Sequence, residues 1–150
     1  MTELQCQKLD PRAVLPSRAH PGDAGLDLCC LDRVEIGPGE RVRVPTGIAI
    51  ELPAGHAGLI VPRSGLAAKQ GISIVNAPGL IDEGYRGELQ VLLLNTDLAL
   101  AVTLEAGRGS HSWSCFRWHC SRLWRSSLSA KAHAAGRVSA QAAAEPFRPR

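Results

Sequence analysis

Glycine and proline punctuate the first hundred residues so closely that no long helix fits between them. In "VEIGPGERVRVPTGIAIELPAGHAGLIVP", short apolar runs are cut by Gly37–Pro38–Gly39 and by Pro53–Ala54–Gly55. Glycine and proline in these clusters are turn chemistry. Within the runs, Val42 and Val44, then Ile48 and Ile50, recur with a period of two, and Arg41, Arg43 and Glu51 interleave. That alternation is the mark of half-buried strands. "GISIVNAPGLID" reads as a strand, a turn and the start of another strand. "YRGELQVLLLN" reads as a strand with Leu89, Val91 and Leu93 on one face. Only "SGLAAKQG" suits a helical turn or two. The spacing predicts an all-β domain, a sandwich or barrel of many short strands.

This order stops near residue 105. All three tryptophans lie in "AGRGSHSWSCFRWHCSRLW", residues 106–124, with two of the five cysteines and two of the five histidines. Residues 1–105 carry 9 Lys and Arg against 13 Asp and Glu, a balance of −4. Residues 106–150 carry 8 against one, a balance of +7. The second part shows neither period and is rich in Arg, Ser and Ala, a composition expected to stay unstructured. A split of this kind usually marks a basic tail able to meet nucleic acid. Cys115, His119 and Cys120 are poorly spaced for zinc and lack a second ligand pair. The polar start of the chain predicts no secretory leader, and no apolar run reaches membrane-spanning length. Five irregularly spaced cysteines then read as reduced thiols of a cytoplasmic protein, and Cys29–Cys30 as strand packing.

Three segments combine glycine with charge. In "PGDAGLDL", Asp23 and Asp27 flank Ala24–Gly25, and two acids can hold Mg2+ directly or through its waters; a solvated turn is the competing reading. In "PRSGLA", Arg63 offers a planar fork of donors, Ser64 a hydroxyl and Gly65 an exposed amide, all suited to phosphate; an ordinary turn would look the same. In "SIVNAPGLIDEGYRGEL", the Asn76 amide can match a pyrimidine edge, Asp82 can act as general base, and Tyr85, the only tyrosine, can cover a sugar. Arg86–Gly87–Glu88 reads as a turn with an internal charge pair. Together the segments predict binding of a nucleotide with its phosphates and a divalent metal.

"AGLDL" (24–28), "PRSGLA" (62–67) and "NAPGLIDEGYRGEL" (76–89) resemble, in order and separation, the first three of five motifs of the homotrimeric dUTPase family. The resemblance covers residues 1–107. It implies a jelly-roll-like trimer that hydrolyses dUTP to dUMP and pyrophosphate with Mg2+, binding neither membrane nor specific nucleic acid. It implies phosphate contacts from Arg63, Ser64 and Gly65. Asn76, with the hairpin backbone at Leu80, Ile81 and Asp82, would bind uracil, and Gln90 would line that pocket. Tyr85 would pack on the deoxyribose and exclude a 2′-hydroxyl. Asp82 would activate the attacking water, and Asp27 would hold the metal through water. A dCTP deaminase of the same fold is a weaker match, because that family typically has a serine in place of Gly65 and lacks Tyr85–Arg86–Gly87. A nucleotide-binding remnant without turnover is the other alternative.

The family's fourth motif, resembling R-(I/V)-A-Q-L, and its glycine-rich arm, R-G-x-G-G-F-G-S, are both missing from residues 105–150. Codons read one base earlier restore them. Gly109 to Trp113 can become Arg-(Ile/Val)-Ala-Gln-Leu, and Ala132 to Ala142 can become an arm-like sequence, in the right order. This predicts a domain over 1–107 followed by an out-of-frame tail over 108–150, expected to be disordered, and impaired turnover.

Overall fold

A computed structural model describes residues 4–107 in full and residues 115–122 as backbone. The strands are β1 (Gln5–Lys8), β2 (Leu26–Cys29), β3 (Val34–Ile36), β4 (Arg41–Glu51), β5 (His56–Val61), β6 (Ile72–Ile74), β7 (Gly79–Ile81), β8 (Glu88–Asn95), β9 (Val102–Leu104) and β10 (Cys115–Arg122). One helix, α1 (Ser64–Gln70), follows β5 and ends at Gly71, whose φ of 65° is the left-handed cap that glycine provides. No helix among the described residues is long and apolar enough to cross a membrane.

All pairings between named strands are antiparallel. One sheet runs β1-β4-β8-β6, a second runs β2-β10-β5-β7, and β3 pairs with β9. The all-β expectation holds, with strands short enough to match the turn spacing. A single apolar core joins the sheets. It includes Leu28 and Cys30, Ile36, Val44 and Ile48, Ile60, Leu66 of α1, Ile74, Ile81 and Leu104. Leu89, Val91 and Leu93 of β8 all point into it, as their period of two requires.

Two buried polar anchors tie the edges of this core. Asn95, fully buried at the end of β8, donates from Nδ2 to the carbonyls of Ile36, Gly37 and Leu100 at 3.1, 3.1 and 2.8 Å. Its Oδ1 accepts the Asp97 N–H at 3.0 Å. Thr46 donates its hydroxyl to the Leu89 carbonyl at 2.7 Å.

The tail departs from expectation. Residues 115–122, read above as part of an unstructured stretch, form β10. It pairs with β2 from Cys115↔Cys29 to Trp118↔Leu26 and with β5 from Arg117↔Val61 to Arg122↔His56. The reason is the gap it fills. Strands β2 and β5 each present an edge of backbone donors and acceptors that need partners. Phe116 and Trp118 alternate with Arg117 and His119, so the segment carries local strand character that the composition of the longer tail concealed. The rest of the 108–150 expectation lies outside the described residues.

The β4–β8 ladder is in register from Arg41↔Leu94 to Pro45↔Gln90, then shifts before Ala49↔Glu88. Gly47 sits in the shift with φ at 67°. A Cβ there would lie 2.8 Å from the Ala13 Cβ and 3.1 Å from Leu31 Cδ1. Gly47→Ala therefore imposes both a left-handed backbone on an L-residue and a collision, and should lower the unfolding free energy by about 2 kcal/mol or more; urea denaturation checks this, and an unchanged midpoint would contradict it.

Cys30 yields a second expectation. Burial, and secondarily the neighbouring Cys29, push its thiol from an ordinary 9.0 up to about 12. Between pH 9 and about 12 the unfolded chain releases this proton and the folded chain keeps it, so stability is intact below pH 9 and falls as pH rises through that window. A Cys30→Val variant should show a flatter loss of stability over the same range.

Candidate functional site

Strands β7 and β8, which belong to different sheets, and the turn between them wall a cavity of about 240 Å³ lined by Asn76, Gly79, Leu80, Ile81, Asp82, Tyr85, Glu88, Gln90 and the apolar floor of Ile60, Ile74, Leu89 and Val91. Strand β7 alternates to give this wall its character. Gly79 and Ile81 are buried, and Leu80 between them is 64% exposed. The peptide bond between Ala77 and Pro78 is cis.

Beyond β7 the chain reverses through Asp82–Glu83–Gly84–Tyr85, closed by the Tyr85 N–H donating to the Asp82 carbonyl at 3.0 Å. The turn is tied at both shoulders. Glu83 Oε2 accepts the Gly55 N–H at 2.7 Å. Arg86 donates to the carbonyls of Glu83 and Tyr85 at 2.7 and 2.9 Å and to Glu51 Oε1 at 3.0 Å. The internal Arg86–Glu88 pair expected from the sequence is thus corrected. Arg86 takes Glu51 across the β4 end instead, and Glu88 spends its carboxylate on the Gly47 N–H and on Gln90 Nε2, both at 2.7 Å. The sequence separates Glu51 from Arg86 by 35 positions, so no local pattern could have announced this.

Tyr85 is held by its own hydroxyl, which donates to the Glu88 carbonyl at 2.6 Å. That lays the ring over Gly87. A Cβ on Gly87 would stand 2.7 Å from the Tyr85 oxygen and 2.9 Å from Cζ. With Asp82 exposed beside it, the cavity offers an amide, a carboxylate and an aromatic face around a small apolar floor.

Arg63, Ser64 and Gly65 lie elsewhere. Arg63 is the N-cap position of α1, and Ser64 and Gly65 are in its first turn. No side chain caps these first amides, and no acidic residue sits among them. Arg63 Nη1 is 3.4 Å from Asp27 Oδ2, and Asp27 is 8% exposed on β2. The structure therefore joins "AGLDL" to "PRSGLA" and gathers Asn76, Leu80, Ile81, Asp82, Tyr85 and Gln90 together, yet it keeps the two groups apart. Strand β5 shows how far. Its register places Ile81 beside Gly58 and Gly79 beside Ile60, so Asp82 lies toward the start of β5 and Arg63 follows its end. At 3.3 Å per residue that is a separation of about 20 Å along the strand.

The fit of a divalent cation follows from the donors present. No group of three His, Cys, Asp or Glu converges among the described residues. Asp23, the second acid of "PGDAGLDL", accepts the His20 N–H at 3.1 Å. One carboxylate already facing Arg63 is no cation cage; it suits Mg2+ held chiefly by other oxygens and met through water.

Comparison with known proteins gives the following. A dUTPase family model matches residues 12–108. The deoxyuridine 5'-triphosphate nucleotidohydrolase of Mycolicibacterium gilvum is 57% identical over 108 residues, 72% of this chain and 69% of that one. The corresponding protein of Rhodococcus erythropolis is 61% identical over 101 residues, 67% of this chain and 62% of that one. The chain thus spans only about two thirds of the length of such relatives. Among solved structures, a mutant dUTPase from phage phi11 of S. aureus, described with a structural Mg(II) ion, aligns with a TM-score of 0.74 at 24% identity, covering 85% of this chain and 95% of that one. The Staphylococcus bacteriophage 80alpha dUTPase with dUpNHpp aligns with a TM-score of 0.74 at 25% identity, covering 85% and 87%.

Gly87→Ala should force the Tyr85 ring off residue 87 and break its bond to Glu88. Because the chain has one tyrosine, its ring resonances are directly assignable by NMR; large shifts are expected, and an unmoved ring would contradict the packing described.

Proposed function

From a chain that belongs to the dUTPase family, we propose the activity of that family, hydrolysis of dUTP to dUMP and pyrophosphate. The observation that carries the reading is the cavity at the β7–β8 connection, where Asn76, Asp82 and Tyr85 converge. Asn76 and the backbone from Leu80 to Asp82 present donors and acceptors to uracil, with Gln90 closing the pocket. A pocket that tight rejects a 5-methyl group. Tyr85, fixed by its bond to Glu88, lies against deoxyribose and leaves no room for a 2′-hydroxyl.

Asp82 takes the proton of the attacking water and also touches the sugar 3′-hydroxyl. The water oxygen bonds to the α-phosphorus, the bond to the bridging oxygen breaks, and pyrophosphate leaves. Arg63, Ser64 and Gly65 receive the phosphates, the uncapped first turn of α1 supplying amides. Asp27 would hold Mg2+ through water, and the bound ion would supply charge neutralisation to the phosphates. In this reading phosphate takes Arg63 from Asp27. The two groups of residues lie near opposite ends of β5, so one chain does not close a site alone. A homotrimer in which neighbouring copies contribute the two halves meets that need. Size-exclusion with light scattering should find a trimer, and a well-behaved monomer would sink the shared site.

Residues 108–150 remain, in this reading, an out-of-frame tail. The family match ends at residue 108, where the frame is inferred to change. Sequencing the encoding DNA settles it, since the shifted codons must spell the missing motifs. Without a stacking arm the transition state is less enclosed, so the purified chain should bind a non-hydrolysable dUTP analogue in preference to UTP or dTTP yet release pyrophosphate far more slowly than the M. gilvum relative. Asp82→Asn should cut the remaining turnover by about 100-fold or more with little change in analogue binding. Turnover equal to the relative's would overturn the damaged-tail reading, and turnover indifferent to Asp82→Asn would overturn the mechanism.

A further inference from the structure

Glu88 takes no part in the proposed hydrolysis, yet each of its oxygens is engaged. It opens β8, half-buried, at the rim of the cavity. Oε1 accepts the Gly47 N–H at 2.7 Å, Oε2 accepts Gln90 Nε2 at 2.7 Å, and the carbonyl accepts the Tyr85 hydroxyl at 2.6 Å. The Gly47 N–H belongs to the left-handed break in the β4–β8 ladder, so its direction is set by the fold. It pins the carboxylate by one oxygen and leaves the other facing Gln90.

The consequence for Gln90 is chemical. A side-chain amide has a donating NH2 end and an accepting oxygen end, and half a turn exchanges them. A carboxylate accepts only, so it holds Gln90 by the NH2 end. Gln90 Oε1 is thereby turned away from Glu88, and among the described residues it accepts no hydrogen bond. Gln90 is exposed and lines the cavity, so a fixed acceptor is what it offers a ligand there. In the base pocket proposed above, on which this assignment rests, that acceptor discriminates. The pairing edge of uracil carries one donor, N3–H, between two carbonyl acceptors. Cytosine carries a bare N3 acceptor at the same point. An oxygen held against N3 bonds to uracil and meets a second acceptor in cytosine, which leaves both groups unpaired. Thymine shares N3–H with uracil, so its rejection stays steric.

We propose that Glu88 is a positioning residue that selects uracil over cytosine: it holds the NH2 of Gln90 and so keeps Gln90 Oε1 as the acceptor for the base N3–H. Glu88 touches no reacting atom and acts through Gln90. The arrangement can be inverted by one substitution. Glu88→Gln keeps the side-chain length, and the Gly47 N–H still requires an acceptor, so the new amide oxygen takes the place of Oε1. The new NH2 then faces Gln90, which turns its own oxygen toward it and presents its NH2 to the base. That wall suits the N3 acceptor of cytosine and opposes the N3–H of uracil.

The test is calorimetric titration of the purified full chain, wild-type and Glu88→Gln, with dUpNHpp and with its cytosine and thymine counterparts. These analogues report binding without turnover. The wild-type chain should prefer dUpNHpp to the cytosine analogue. Glu88→Gln should shrink that preference by about tenfold or more and keep the preference for uracil over thymine. A ratio taken within one protein cancels any unfolded fraction, so a purely structural loss lowers all affinities together and leaves the ratios alone. Gln90→Met, which spares the Gly47–Glu88 bond and removes the amide, should shrink the same preference. An unchanged uracil-to-cytosine ratio in either variant would overturn the assignment. So would a simultaneous loss of the uracil-to-thymine preference, the mark of a deformed pocket. A wild-type chain that binds no analogue, or binds without preferring uracil, would overturn the base-pocket reading itself and the assignment with it.

Discussion

The antiparallel ladder between β4 and β8 is the constraint from which the rest hangs, and it works because it breaks at Gly47. There the backbone takes a left-handed φ, its N–H reaches the Glu88 carboxylate at 2.7 Å, and its carbonyl accepts the Leu9 N–H at 2.8 Å. The missing Cβ lets Ala13 close over the break. One residue thus fixes the N-terminal segment, the β4–β8 register and the start of β8. Tyr85 bonds to the Glu88 carbonyl and Gln90 to the Glu88 carboxylate, so the pocket wall is positioned by the same residue that stitches the break. Core and site are held by one set of bonds.

Much of this was legible in the sequence because strands advertise themselves by a period of two and by turn residues. β6, β7 and β8 fall where "GISIVNAPGLID" and "YRGELQVLLLN" predict them, and α1 falls on "SGLAAKQ". Pairings between distant residues were not legible. Arg86 chooses Glu51 over Glu88, Arg63 chooses Asp27, and Asn95 clamps three carbonyls, all through contacts that topology creates and local spacing does not record. β10 was hidden for a different reason. Its Arg, Ser and Ala surroundings dilute the strand character of "CFRWHC", and what draws it into a sheet is the pair of unfilled edges on β2 and β5.

The division of the predicted residues between the two ends of β5 gives the proposed chemistry its architecture. In the proposed reading, a base pocket built on the β7–β8 connection and a phosphate corner built on a helix start are each pre-formed, so neither must be ordered at the moment of reaction. In the proposed reading their separation makes assembly of copies a condition of catalysis. The Arg63–Asp27 pair, at 3.4 Å, would hold the arginine until a phosphate competes for it. A damaged tail, as proposed, would then weaken binding less than turnover, because the residues of the proposed base pocket all lie between 60 and 91.

The most direct measurement is an experimental structure of the chain with dUpNHpp and Mg2+. The account predicts one nucleotide with its base against Asn76 and Tyr85 of one copy and its phosphates against Arg63, Ser64 and Gly65 of a neighbouring copy. A nucleotide held entirely by one chain, or seated away from the β7–β8 connection, would contradict it.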